Sequence, residues 1–158
     1  MNSHKDLLNT FYAAFQKKDF QTMKNCYHPR ASFSDEVFQN LNATEVGMMW
    51  EMLIKSGKDL KIEFGNIQAD DQKGRANWQA SYTFSRTQKK VLNKIQAEFS
   101  FLDGKILTHW DHFSFYAWSR QAFGFTGFML GWTGFFRNKV RKNALERLKQ
   151  FSSKQASH

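Results

Sequence analysis

The hydrophobic pattern of this chain changes period once, at Gly57, and that change limits the folds open to it. Before Gly57 the apolar residues recur at helical spacing. Leu7, Leu8, Phe11, Ala14 and Phe15 form one stripe within residues 5–18. Val46, Met49, Trp50 and Leu53 form another, on a helix expected over residues 43–55 with Asn42 to Glu45 capping its start and Gly57 stopping it. Asp19 is suited to cap a short second helix, which must end before Pro29 because a proline disfavours helical geometry in the residue ahead of it. A short strand is expected over residues 30–35. After Gly57 the alternation is two-fold. Leu60, Ile62 and Phe64 alternate with polar neighbours, as do Ala76, Trp78, Ala80, Tyr82 and Phe84. From Lys94 to Trp118 two long strands are expected to meet at Asp103-Gly104, a pair that tolerates the positive φ of a tight hairpin turn. Helices followed by long antiparallel strands predict an α+β fold, with the helices on one face of a curved sheet.

The chain has 158 residues, 17 of them Phe and 5 Trp, enough apolar mass for one domain with a large core or an apolar cavity. One cysteine, Cys26, excludes an internal disulfide, and no metal-spaced Cys/His cluster, nucleotide glycine loop or nucleophile elbow occurs; no cofactor and no metal is expected. No secretory signal or membrane-spanning run is visible, and a cytoplasmic location is expected. The net charge of +9 is uneven. From Trp118 onward eight Lys/Arg face one acid, Glu146, and the first 117 residues carry only +2. The basic character therefore belongs to the tail, and a nucleic-acid-binding body is not expected.

The segments FYAAFQKKDF, CYHPRASFSDEVF and FSFLDGKILTHWDHF resemble the nuclear transport factor 2 superfamily, which includes ketosteroid isomerases and SnoaL-like polyketide cyclases. The resemblance covers roughly residues 5–117. It implies a cone-shaped domain in which three helices close over a bent antiparallel sheet around an apolar pocket. Laid on the isomerase pattern, Asp35 falls at the general base and Tyr27 at a tyrosine of the hydrogen-bond network. The two oxyanion donors fall on Phe11 and Ala97, which have no hydroxyl or carboxyl, so the resemblance argues against steroid-isomerase chemistry. SnoaL-like cyclases carry an acid/base aspartate on the last strand, where Asp111 is the nearest match, with His109 beside it. Related epoxide hydrolases use an arginine between two aspartates, and no arginine lies on this strand. The same overlay turns Leu107, His109, Asp111 and Phe113 inward, and Trp110 and His112 toward a convex face used for dimerisation.

The candidate catalytic residues are therefore Asp35, Asp111 and His109, and the candidate pocket residues are Tyr27, Trp50, Trp78, Tyr82, Phe99 and Phe113. Each has a plainer reading: Asp35 as a loop carboxylate, His109 and Asp111 as a buried pair satisfying each other, the aromatics as core. The expected function is cofactor-free proton transfer on a lipophilic ligand, of isomerase or cyclase type, by a homodimer. A non-catalytic binding or docking module is the alternative. Residues 1–118 are expected to form the pocket domain, and residues 119–158 an extension of it. In that extension the glycine-rich segment 122–136 either wraps the sheet edge or meets a membrane surface. The helix expected over residues 137–151, with the stripe Phe136, Val140, Ala144, Leu148 and Phe151, packs on the body or a dimer mate, or joins that membrane contact.

Overall fold

In a computed structural model, residues 3–156 are described, so the outermost two positions of the expected units 1–118 and 119–158 lie outside the described residues. Three helices come first: α1 (Ser3–Gln16), α2 (Phe20–Asn25) and, after the strands β1 (Tyr27–Ser34) and β2 (Leu41–Asn42), α3 (Ala43–Ser56). Their starts follow the local chemistry. Asp19 accepts from Thr22 N–H, and Asn42 and Glu45 form a reciprocal capping box. Leu8, Phe11, Tyr12 and Phe15 of α1 and Val46, Met49 and Trp50 of α3 are buried in one core. Leu53, expected on that face, stands at the surface while Ile54 turns in.

Four long strands follow: β3 (Lys61–Ala69), β4 (Lys73–Phe84), β5 (Lys89–Leu102) and β6 (Lys105–His112). The curved six-stranded sheet has the order β2-β1-β6-β5-β4-β3, with the helices packed on it as the α+β expectation required. The hairpin between β5 and β6 turns at Asp103 and Gly104, both at positive φ. One pairing departs from the antiparallel rule, since β1 runs parallel to β6, with Phe33 beside His109.

Two local features revise the expected strand phase and length. Ser100 pairs with Thr108 but Phe101 pairs with Ile106, so Leu107 is an extra residue on β6. The bulge turns Ile106 into the core with His109 and Asp111 and leaves Leu107 half-buried. And β6 ends at His112 rather than running to Trp118, because Ser114 caps a new helix by accepting from Ala117 N–H.

That helix, α4 (Phe115–Phe123), is followed by α5 (Phe125–Leu130) and α6 (Gly134–Ala156). The glycine-rich segment is thus largely helical rather than an extended wrap. Position 118 lies inside α4. Phe115, Trp118, Ala122, Phe136 and Val140 form a second apolar cluster with Val91 of β5, and Leu148 reaches the main core. Arg141 ties α6 to the loop after β1 by donating to the Glu36 carbonyl.

Candidate functional site

A cavity of about 230 Å³ lies between α3, the ends of β4 and β5, α4 and α6. Its walls include Phe15, Trp50, Trp78, Tyr82, Phe113 and Trp118, and two carboxylates, Asp35 and Asp111, face it. Of the residues singled out from the sequence, Asp35, Asp111, Trp50, Trp78, Tyr82 and Phe113 line the cavity, whereas His109, Tyr27 and Phe99 do not. These three are buried behind the wall, where His109 stacks on Trp50, meets Phe33 edge-on and lies tilted against Phe99.

Asp35 follows the end of β1. Its Oδ1 accepts from the backbone N–H of Val37 at 2.7 Å and of Phe38 at 2.6 Å, a turn geometry that short acidic side chains favour. The residue is half-buried, and its carboxyl is held beneath the surface. Burial pushes that carboxyl up to about 7; the two backbone bonds oppose the rise, and the charges of Asp111 and Glu36 add to it. The sequence pointed to Asp35 by resemblance alone, and its desolvation comes from α3, α4 and α6 closing over it.

Behind the cavity runs a buried chain of hydrogen bonds. Trp50 Nε1–H donates to Tyr27 Oη at 3.0 Å, and Tyr27 Oη lies 2.8 Å from His109 Nδ1. His109 Nε2 lies 2.9 Å from Asp111 Oδ1, which also accepts from Trp78 Nε1–H at 3.2 Å. One proton arrangement satisfies every member. Tyr27, already an acceptor from Trp50, donates to His109 Nδ1, and a neutral His109 donates from Nε2 to an ionised Asp111. A doubly protonated His109 would leave the Tyr27 proton buried without an acceptor. His109 therefore orients Asp111 rather than facing the cavity. Burial raises the Tyr27 hydroxyl above its ordinary value, against the Trp50 bond and with help from Asp111, which keeps it a donor.

Residues absent from the sequence-based set complete the site. Trp118 Nε1–H donates to Tyr82 Oη at 2.9 Å, so the Tyr82 proton is left to point elsewhere, beside Asp35. Burial raises the Tyr82 hydroxyl, the Trp118 bond opposes this, and the Asp35 charge adds to it. The spacing of Phe115, Trp118 and Ala122 is helical and carried the signal for α4, but the alternation of FSFYAW obscured it. Val140, Asn143, Ala144 and Arg147 of α6 close one side, with Arg86 beside the mouth. On α1, Tyr12 Oη is the one buried side-chain polar atom among the described residues without a hydrogen-bond partner in the protein. Among the described residues no three His, Cys, Asp or Glu stand together as a metal site.

A bent sheet capped by three helices, with carboxylates set into an apolar cavity, defines a domain of the nuclear transport factor 2-like class. Within that class the match is to the SnoaL-like domain, over residues 8–109, and the chain belongs to that family. No curated protein matches the sequence at a significant level. Among solved structures, the chain is similar to an LEH-like epoxide hydrolase from M. tuberculosis (14% identity, TM-score 0.61, covering 77% of this chain and 90% of that one). It is similar to TerC crystallised with polyporic acid (12%, 0.64, 78% and 100%). It is also similar to an NTF2-like protein of unknown function from Burkholderia pseudomallei (13%, 0.65, 77% and 98%). At these identities the likeness concerns the fold.

Proposed function

We propose that the protein is a cofactor-free acid/base catalyst acting on a small lipophilic organic ligand, with chemistry of the isomerase or cyclase type. The observation that carries this reading is the Asp35 carboxyl, raised to about 7 in the wall of a largely apolar cavity of about 230 Å³. A carboxylate of that basicity removes a proton from carbon more readily than an ordinary one, and it is half ionised near neutrality. In the proposed step, ionised Asp35 takes a proton from a carbon next to a ligand carbonyl, and the electron pair moves to the carbonyl oxygen. Tyr82, held by Trp118, donates its hydroxyl proton as a hydrogen bond to that oxygen. Protonated Asp35 then returns the proton to another carbon, or the enolate carbon closes on an internal carbonyl, whose π electrons move to its oxygen, and that oxygen takes the proton from Asp35. Tyr82 would take the part that Phe11 and Ala97 cannot play. Asp111, fixed by His109 and Trp78, holds negative charge deeper in the cavity and supports the high basicity of Asp35.

The test is turnover of a panel of lipophilic ketones and β-dicarbonyl compounds, followed by proton exchange into deuterated water. Wild-type protein is expected to exchange, and Asp35→Asn to lose at least a hundredfold. Exchange by Asp35→Asn at the wild-type rate would remove the catalytic reading and leave a carrier. The neighbour crystallised with polyporic acid supports a small organic occupant for either reading. We also propose a homodimer through the convex sheet face, where Trp110 is exposed and packs edge-on against His112. Light scattering of Trp110→Lys should then report a monomer.

A further inference from the structure

The surface built by α5 and the start of α6 stands apart from the cavity. Between positions 125 and 135 six large apolar side chains point to solvent: Phe125, Phe128, Met129, Leu130, Trp132 and Phe135, with Phe125, Trp132 and Phe135 76%, 73% and 80% exposed. So many exposed large apolar side chains in one short stretch are rare on a soluble monomer. It is also a built surface. Gly127 and Gly131 are where α5 touches α4, and a Cβ on either would sit well inside contact distance of Ser119. Tyr116 Oη donates to the Phe128 carbonyl at 3.1 Å, and Trp132 Nε1–H donates to the Met129 carbonyl at 3.0 Å. The helix is therefore seated by its glycine side, and its bulky side chains are held outward.

The stripe on α6 that the sequence offered for a membrane contact is used otherwise. Phe136, Val140 and Leu148 are buried against the body. The charge along this stretch of the chain has one sign. Between Asp111 and Glu146 there is no acidic residue, and Arg120, Arg137, Lys139, Arg141 and Lys142 lie on the same stretch. Lys139 and Lys142 are exposed on α6, one and two turns beyond Phe135.

We infer that this patch is a monotopic membrane-docking surface, in which Phe125, Phe128, Trp132 and Phe135 enter the interface of an anionic bilayer and Lys139 and Lys142 meet its headgroups. Exposed aromatic side chains flanked by cations are the combination that such an interface selects. A second copy of the chain would bring two basic surfaces together, which the charge opposes. The inference does not rest on the chemistry of Asp35, and its test does not read it.

The experiment is co-sedimentation of the full chain with large vesicles of phosphatidylcholine, and of phosphatidylcholine mixed with phosphatidylglycerol. Wild-type protein is expected to partition onto the mixed vesicles and to be released by salt. The pairs Phe128→Ser/Phe135→Ser and Lys139→Glu/Lys142→Glu, both on exposed positions, should each lower the partition coefficient roughly tenfold or more. A wild-type protein that stays in solution with the mixed vesicles overturns the inference, as does a Phe128→Ser/Phe135→Ser protein that partitions like wild type. So does light scattering showing a wild-type dimer that this apolar pair converts to a monomer, because the patch would then be covered by a second copy. Unchanged unfolding midpoints in both variants assign their loss of binding to the surface.

Discussion

Replacing Asp35 with asparagine tests the electrostatics of the cavity without any knowledge of the ligand. The carboxyl has an ordinary value of 3.8 and stands at about 7 in the folded protein. A rise of about three units corresponds to about 4 kcal/mol between the protonated and ionised forms. The sign follows from proton counting. Between the two values the folded state holds a proton that the unfolded state has released, so wild-type stability falls as pH rises from about 4 to about 7 and is level above that. The shift already contains the help of the Val37 and Phe38 N–H bonds, so nothing further is subtracted for them. Asparagine has the shape of the protonated acid and never ionises. The stability difference between Asp35→Asn and wild type should therefore be near zero at pH 4 and grow to about 4 kcal/mol in favour of the variant at pH 8.5. Urea denaturation of both proteins across that range measures it, and taking the difference cancels the titrating groups that do not interact with Asp35. A difference that stays flat, or that swings toward wild type as pH rises, would show that the carboxyl is solvated or paired with a cation, and the basis for its role as a base would be gone.

Tyr27→Phe should destabilise the protein by about 1–3 kcal/mol, since it leaves Trp50 Nε1–H and His109 Nδ1 buried without a shared partner; thermal unfolding reads this directly. Tyr82→Phe keeps the ring in the wall but leaves the buried Trp118 Nε1–H without its acceptor, so exchange turnover is expected to drop by roughly two orders of magnitude together with a destabilisation of about 1–3 kcal/mol read by thermal unfolding. Gly127→Ala forces α5 away from Ser119 and should cost about 1–3 kcal/mol while loosening the exposed patch, visible as faster amide exchange at Phe128 to Leu130.

The parts of this fold that were legible in the sequence are those set by neighbours in the chain. Asp19, Asn42 with Glu45, and Asp103-Gly104 act within a turn's reach, and each does in the structure what its chemistry suggests. Features set by distant partners were not legible. The parallel seat of β1 beside β6 depends on residues far apart in sequence, and the bulge at Leu107 shifts the phase of a strand whose alternation looks regular. FSFYAW reads as a strand by alternation, yet one hydroxyl, on Ser114, starts a helix there because Val91 and Phe136 are placed to receive Phe115 and Trp118. The glycines of α5 lower its helical propensity, and tight packing on Ser119 overrides that. In the site, alternation placed His109 and Asp111 on one face, but only the depth of the fold decides that Asp111 reaches the cavity while His109 supports it from behind.

The parallel pairing of β1 with β6 also has a consequence for how the chain is made. Phe33 and His109 sit side by side but are separated by roughly 75 residues, so at about 5–20 residues per second β1 waits on the order of 4–15 s for its partner to be synthesised. During that interval β4 and β5 can zip together, since they are joined by a short turn, whereas Phe11 and Phe33, which pack on His109, have no sheet centre to cover them. A nascent chain paused with β5 outside the ribosome and β6 still inside the exit tunnel should therefore carry a formed hairpin and an uncovered aromatic face, a substrate for any factor that binds apolar segments. Passage through β6 closes the sheet and hides that face in one step.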